Sequence, residues 1–177
     1  MLHAALERHP AAPCIALRGI QVFLNRAADG RLEVQFLLEG DIERLRIPPP
    51  SRLARSAERL WEHTCCEIFV AREDRRGYDE YNFSPSGDWA AFAFTGYRDG
   101  SALAVPDPKV SVTQNPSRLE LRARIARSYP GKLRIGLSAV VEDSDGVLSY
   151  WALRHAPGKP DFHHPTTFAL ELDEVRH

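Results

Sequence analysis

The sequence predicts an all-β protein, an antiparallel β-sandwich of about ten strands with a jelly-roll or immunoglobulin-like two-sheet architecture. Three observations support this prediction. Apolar and polar residues alternate with a period of two along many short segments. Glycine, proline, asparagine and aspartate interrupt these segments often, as the turns of a sandwich require. Only one segment before the main run of strands, Ser51–Trp61, has the composition of a helical turn.

The first strands follow from two apolar runs on either side of a turn sequence. Ile15–Asn25 leads into Ala28-Asp29-Gly30, and Leu32–Leu38 then alternates as LEVQFLL. An Asp-Gly pair between two such runs is typical of a β-hairpin. Ile42–Pro50 closes with three prolines, which cannot donate to a sheet ladder, so we expect an extended crossing there.

The remaining strands follow the helical turn. Eight further segments are expected to be strands: Cys65–Ala71, Tyr78–Phe83, Trp89–Phe94, Val110–Thr113, Leu119–Ala126, Leu133–Glu142, Leu148–Leu153 and Phe168–Leu172. The stretch VVEDSDGVLSYW predicts a second hairpin with an Asp-Gly turn. Since the chain has no internal repeat, we expect residues 1–177 to form a single domain.

Composition excludes several classes of partner. The chain is 44% hydrophobic and 27% charged, and its net charge of -1 provides no basic field for nucleic acid. The sequence has neither a polybasic patch nor an apolar run of roughly 20 residues, so it gives no indication of a membrane partner. The N-terminus lacks the pattern of a secretory signal, and the odd set of three cysteines favours reduced thiols, so we expect a cytoplasmic protein. A small-molecule ligand is the expected partner, and the residues specify neither a cofactor nor an oligomeric state.

Three stretches of the sequence resemble a known family. They are LWEHTCCEIFVA, YDEYNFSPSGDWAAFAFTGYRDG and VVEDSDGVLSYWALRHAPGKPDFHHPTTFAL. Together they resemble the bacterial DOMON-like domains, which are grouped with the family-nine carbohydrate-binding modules. The resemblance covers about Leu60 to Leu170, with weaker similarity before it. It implies a β-sandwich whose relatives hold a sugar or a haem in a concave face or at loop ends, and it implies no reaction.

Metal and thiol chemistry fit the residues less well than ligand binding. Adjacent Cys65 and Cys66 point to opposite faces of a regular strand, so they cannot reach one ion together. We therefore assign no metal ligand, and we interpret both cysteines as packing residues. A nucleophile built from Cys65 and a histidine remains an alternative, although no nucleophile elbow accompanies it.

Haem binding and glycoside hydrolysis would each require a specific pair of side chains. The only methionine is Met1, so haem ligation would require two histidines, with His63 and His163 or His164 as candidates. Hydrolysis would require a carboxylate pair such as Glu67 with Glu80 or Asp161. Paired acids are common by chance on a sandwich, so we assign no catalytic residue and expect a domain that binds its ligand without transforming it.

A carbohydrate or a related polar ligand fits the sequence better. Sugars stack on aromatic rings and are oriented by a few polar groups. All three tryptophans lie in the segments that carry the family resemblance, although a sandwich also needs large aromatic residues in its core. The candidate ligand-binding residues are Trp61, His63, Glu67, Asn82, Trp89, Tyr97, Arg98, Trp151, His155, Lys159, Asp161 and His163.

The stretch WEHTCCEIFV indicates where the site lies. A strand that begins near Thr64 would send Cys66, Ile68 and Val70 into the core and Cys65, Glu67 and Phe69 to the other face. A polar Glu67 on that face needs solvent, a partner or a ligand. We expect His63 to contact the rigid loop PGKPDFHH, with Trp61 or Trp151 as the stacking wall of a shared pocket.

Overall fold

The computed structural model describes residues 1–50 and 59–174 and confirms an all-β fold. Within these residues there are three single-turn 3-10 segments and no α-helix, and hence no helix long and apolar enough to cross a membrane. The twelve strands are β1 Leu2–Arg8, β2 Leu17–Arg26, β3 Leu32–Gly40, β4 Cys65–Arg72, β5 Tyr78–Phe83, β6 Trp89–Gly96, β7 Asp99–Ala102, β8 Lys109–Asn115, β9 Arg118–Ile125, β10 Leu133–Glu142, β11 Leu148–Ala152 and β12 Leu170–Leu172.

The strands form two antiparallel sheets joined by β1. The first sheet has the order β1-β2-β3-β9-β8, and the second has the order β7-β6-β5-β4-β10-β11, with β12 also paired to β10. Residues 2–6 of β1 pair with β2, whereas Glu7 and Arg8 pair with β11. A single strand therefore belongs to both sheets.

Both predicted hairpins are present. β2 pairs with β3, and β10 pairs with β11. Gly30 and Gly146 occupy the turns with φ of 82° and 80°, a left-handed conformation that glycine adopts without steric cost. The Asp-Gly signals in the sequence thus predicted these two turns correctly.

The main core lies between the two sheets. The inner face of β4 contributes Cys66, Ile68 and Val70 to it, as the alternation predicts. Cys65 and Phe69 belong to two smaller apolar clusters on the outer face of the second sheet. This outer face therefore has apolar packing of its own, and it carries the candidate site.

Three parts of the structure differ from the sequence prediction. The strands β1 and β7 were not predicted, and both are mostly exposed. Ile42–Arg44 forms a 3-10 turn where an extended crossing was expected. Most of the predicted helical segment Ser51–Trp61 lies outside the described residues, and its described end belongs to the 3-10 turn Leu60–Glu62.

Candidate functional site

A cleft of about 590 Å³ lies on the outer face of the second sheet. Its floor comes from β4, β5, β6, β10 and β11, and its rim comes from the turn before β4, the β6–β7 turn and the PGKPDFHH loop. The residues that line it are Trp61, Glu62, Glu67, Glu80, Phe92, Phe94, Arg98, Val140, Leu148, Tyr150, Pro160, Phe162 and His163. This volume is in the range of small-ligand sites, about 300–1,000 Å³.

Two carboxyl groups lie at the floor of the cleft. Glu67 on β4 is 2% exposed and Glu80 on β5 is 5% exposed. Burial, with the charge of Glu80 as the next cause, raises the pKa of Glu67 to about 8. Burial also raises the pKa of Glu80 to about 7, against the opposing effects of the Asn82 hydrogen bond and the Arg98 charge. Near neutral pH the two groups therefore retain part of their protons.

Neutral side chains hold both carboxyl groups in place. The Ser138 hydroxyl on β10 donates to Glu67 Oε2 at 2.9 Å, and Asn82 Nδ2 donates to Glu80 Oε1 at 2.7 Å. Asn82 is fully buried and lies opposite Glu67 in the β4–β5 register. Its Oδ1 is buried and accepts no hydrogen bond.

The PGKPDFHH loop is fastened to the β6–β7 turn by Asp161. Tyr97 donates to Asp161 Oδ2 at 2.6 Å, and Arg98 Nη2 donates to Asp161 Oδ1 at 3.0 Å. Asp161 also accepts the His163 backbone N–H at 3.1 Å, the local cap that such a loop favours. Arg98 has φ of 55°, an uncommon backbone state for a non-glycine residue. This turn thus positions a cation at the rim of the cleft, already paired with Asp161.

His163 links the loop to the sheet. Its Nδ1 hydrogen-bonds the Tyr78 hydroxyl at 2.7 Å, and its Nε2 lies 3.7 Å from Glu80 Oε2. Burial, followed by the Arg98 charge, lowers the pKa of His163 to about 4. The ring is therefore neutral at physiological pH and does not balance the charge of Glu80.

Aromatic rings form much of the wall of the cleft. Trp61 is 42% exposed and packs edge-on against Phe92, with ring centroids 5.9 Å apart. Phe94, Tyr150 and Phe162 add further rings. An exposed indole above a buried polar floor is a suitable surface for the C–H face of a sugar.

The structure corrects the assignment of two tryptophans. Trp151 is 4% exposed and belongs to the main core, where its Nε1 donates to Ser149 Oγ at 3.0 Å. Trp89 also packs against the main core from the inner face of β6. Neither indole lines the cleft, so neither serves as its stacking wall. Both residues occupy the kind of position that a sandwich gives to the large aromatic side chains of its core.

Several polar candidates also lie away from the cleft lining. His63 hydrogen-bonds Glu142 through Nδ1 and is not among the residues that line the cleft, although it was expected to meet the PGKPDFHH loop there. His155 bonds the carbonyl of Glu7 at 2.7 Å, and Lys159 is exposed outside the cleft. Tyr97 and Asn82 do not line the cleft, but they donate hydrogen bonds to Asp161 and Glu80 respectively. Of the twelve candidates, four line the cleft: Trp61, Glu67, Arg98 and His163.

Other cleft residues were not among the candidates. The sequence indicated Glu80 only as part of a carboxylate pair, and it gave no prediction for the aromatic residues Phe92, Phe94, Tyr150 and Phe162. The alternation of β6 carries a signal for two of them, because Phe92 and Phe94 lie two positions apart and share a face. No comparable local signal identifies Phe162 in its loop.

The surroundings of Cys65 do not suit a nucleophilic thiol. It is fully buried beside Leu60, Ala90 and Phe92, and burial raises the pKa of its thiol well above the ordinary value. A nucleophilic cysteine needs a lowered pKa and access to substrate. Across residues 1–50 and 59–174, no group of three histidine, cysteine, aspartate or glutamate residues could hold a metal ion.

The burial of the cysteines predicts a simple thiol titration. Cys65 and Cys66 are fully buried, whereas Cys14 is partly exposed, and all three are free. We expect a thiol reagent to modify Cys14 first in the native protein and all three cysteines after unfolding without reductant. Rapid native modification of Cys65, or a thiol count near zero after unfolding, would contradict this expectation.

Comparisons with known proteins support the fold. Neither a scan against protein-family models nor a search of curated protein sequences gives a match. A crystal structure of a proposed carbohydrate-binding protein from Bacteroides uniformis is similar over 98% of this chain and 86% of that chain, with a TM-score of 0.72 and 14% identity.

Two structures of family-nine carbohydrate-binding modules from Caldicellulosiruptor kristjanssonii are also similar. One, in complex with glucose, matches 95% of this chain and 83% of that chain, with a TM-score of 0.59 and 12% identity. The other, in complex with cellotriose, matches 86% of this chain and 75% of that chain, with a TM-score of 0.54 and 12% identity. At these identities the likeness establishes the sandwich fold.

Proposed function

We propose that this protein binds a carbohydrate in the cleft and does not transform it. The observation that carries the proposal is the cleft itself, which is lined both by the exposed ring of Trp61 and by the buried carboxyl groups of Glu67 and Glu80. Aromatic stacking and a few fixed polar groups are the two elements of sugar recognition. The sugar complexes of structurally similar modules support the same proposal.

The chemistry of the floor supports binding over hydrolysis. A glycosidase pairs a protonated acid with an ionised carboxylate, and their environments separate the two pKa values. Here burial raises the pKa of both Glu67 and Glu80, so their environments act in the same direction. The cleft thus supplies polar contacts to a ligand without the usual division between acid and nucleophile.

We extend the proposal to family and location. Membership among the DOMON-like domains is supported by the three sequence stretches between Leu60 and Leu170. A reducing, cytoplasmic location is supported by the three free thiols. Detection of the native protein in a cytoplasmic or an exported cell fraction would test the location directly.

Removal of the Trp61 ring tests the binding site. We expect Trp61→Ala to weaken binding of the best ligand from a panel of mono- and oligosaccharides by about tenfold or more, which corresponds to about 1.4 kcal/mol. Isothermal titration calorimetry would measure the dissociation constants. Phe23→Ala is the matched control, because Phe23 is a partly buried aromatic residue on β2, away from the cleft.

The outcomes separate a cleft ligand from other modes of binding. Unchanged affinity in Trp61→Ala, or an equal loss in Phe23→Ala, would show that the sugar binds elsewhere. Absence of binding to every sugar in the panel would overturn the proposed function.

A further inference from the structure

The cleft floor has two acids and no basic group of its own among the described residues. Glu67 and Glu80 receive hydrogen bonds from a hydroxyl and an amide, which are neutral donors. Burial of an ionised carboxylate without a cationic partner is unfavourable. The floor is therefore left short of positive charge.

Other charged groups near the cleft are already paired. Arg98 binds Asp161, Arg59 binds Glu62, and Glu142 is bound by Arg46 and His63. His163 is neutral, Arg134 on β10 donates to the Pro165 carbonyl, and Cys65, Tyr78 and Tyr150 are further titratable groups on this face. With these pairs removed, the two carboxyl groups of the floor keep up to two negative charges. Among the described residues only the charge of Arg98, itself paired with Asp161, offsets them in part, through Glu80.

A second observation indicates that the floor also lacks hydrogen-bond donors. Asn82 is fully buried, donates to Glu80 and lies opposite Glu67 in the strand register, and its Oδ1 accepts no hydrogen bond. An unsatisfied buried acceptor costs about 1–3 kcal/mol.

The walls add a feature that suits a cation. Trp61, Phe92, Tyr150 and Phe162 line the same cleft as the two acids. The face of an aromatic ring attracts an ammonium group, most strongly for tryptophan. An ammonium group also has three donors and no acceptor, which complements a floor made of acceptors.

We propose that the cleft selects a sugar that carries a primary amine, with its ammonium group over Glu67 and Glu80 and its ring on Trp61. This inference rests on the proposed function and specifies its ligand class. The ammonium group supplies the positive charge and the donors that the floor lacks. Because the bound cation favours the ionised carboxylates, binding releases a proton from the pair to solvent.

The test compares three sugars that share the same pyranose ring. Calorimetry at pH 6.5 with D-glucosamine, D-glucose and N-acetyl-D-glucosamine separates the charge of the amine from the rest of the ring. We expect glucosamine to bind about tenfold or more tightly than glucose, and the N-acetyl sugar to show no such gain. Titrations in two buffers of different ionisation enthalpy should show a proton released with glucosamine alone.

Two variants locate the effect at the floor. Glu67→Gln and Glu80→Gln should each bring the ratio of glucosamine affinity to glucose affinity down to about one, because glutamine keeps the shape and loses the charge. Glu171→Gln, at an exposed position on β12, is the control and should behave like the unaltered protein. Circular dichroism checks that each variant is folded.

The possible results distinguish failure of the amine inference from failure of the proposed function. Equal binding of glucosamine and glucose, or a glucosamine advantage that survives Glu67→Gln and Glu80→Gln, overturns the amine inference and leaves the proposed function intact. Binding of the simple diamine putrescine without binding of any sugar supports an amine site and overturns the carbohydrate proposal. Absence of binding for all four probes overturns the amine inference together with its premise.

Discussion

Trp151→Ala is expected to lower the free energy of unfolding by about 3–5 kcal/mol and to leave ligand binding nearly unchanged. Trp151 is 4% exposed within the core between the two sheets, so truncation leaves a large cavity among residues that cannot fully collapse into it. The change also leaves the Ser149 hydroxyl without the indole N–H. Chemical denaturation would measure the loss.

Trp61→Ala provides the matched control for this prediction. The same side chain is removed there from a position that is 42% exposed, so the expected loss of stability is below about 1 kcal/mol. The two variants should thus show opposite effects, one on stability and the other on binding. Equal loss of stability in both would contradict the assignment of Trp151 to the core and Trp61 to the cleft.

The second large effect is a pH-dependent gain of stability in Glu67→Gln. Burial and the Glu80 charge raise the pKa of Glu67 from 4.5 in the unfolded chain to about 8 in the folded protein. Between these two values the folded state binds more protons than the unfolded state, so the stability of the unaltered protein falls as the pH rises. Glutamine removes this dependence because it stays neutral.

The measurement is a series of denaturant titrations from pH 5 to pH 9. At about 1.4 kcal/mol per unit of pKa shift, the advantage of Glu67→Gln over the unaltered protein should reach the order of 4 kcal/mol at pH 9 and be small at pH 5. Glu171→Gln should show no such trend, since Glu171 is exposed. A constant difference across the pH range would mean that Glu67 is ionised throughout.

The alternation of β4 shows what the sequence was able to predict. A single acidic residue within an apolar run identified which face left the main core, and Cys66, Ile68 and Val70 do lie in that core. In β11 the same reasoning fails, because Tyr150 and Trp151 are adjacent aromatic residues on opposite faces. Alternation shows which residues of a strand share a face, but it does not show which of the two faces packs against the other sheet.

The rest of the site depends on contacts between distant parts of the chain. Glu67, Glu80 and Phe162 come from β4, β5 and the PGKPDFHH loop, and no local pattern places them around one cleft. The sequence did not predict the strand β1, for a different reason. Its burial is confined almost entirely to Leu6, so the sequence carries little alternation to reveal it.

The double membership of β1 sets the order in which the molecule can be completed during synthesis. Leu2 to Leu6 can pair with β2 as soon as that hairpin partner leaves the ribosome, because the two strands are neighbours in sequence. Glu7 and Arg8 pair with Ala152 and Trp151 of β11, which are synthesised 145 and 143 residues later. Closure over so long a loop is slow and entropically costly. Until β11 has been synthesised, Glu7 and Arg8 of the nascent chain therefore form an unpaired strand edge, although the first half of β1 is already paired. An unpaired edge can pair with another chain, so the nascent protein is open to aggregation during this interval.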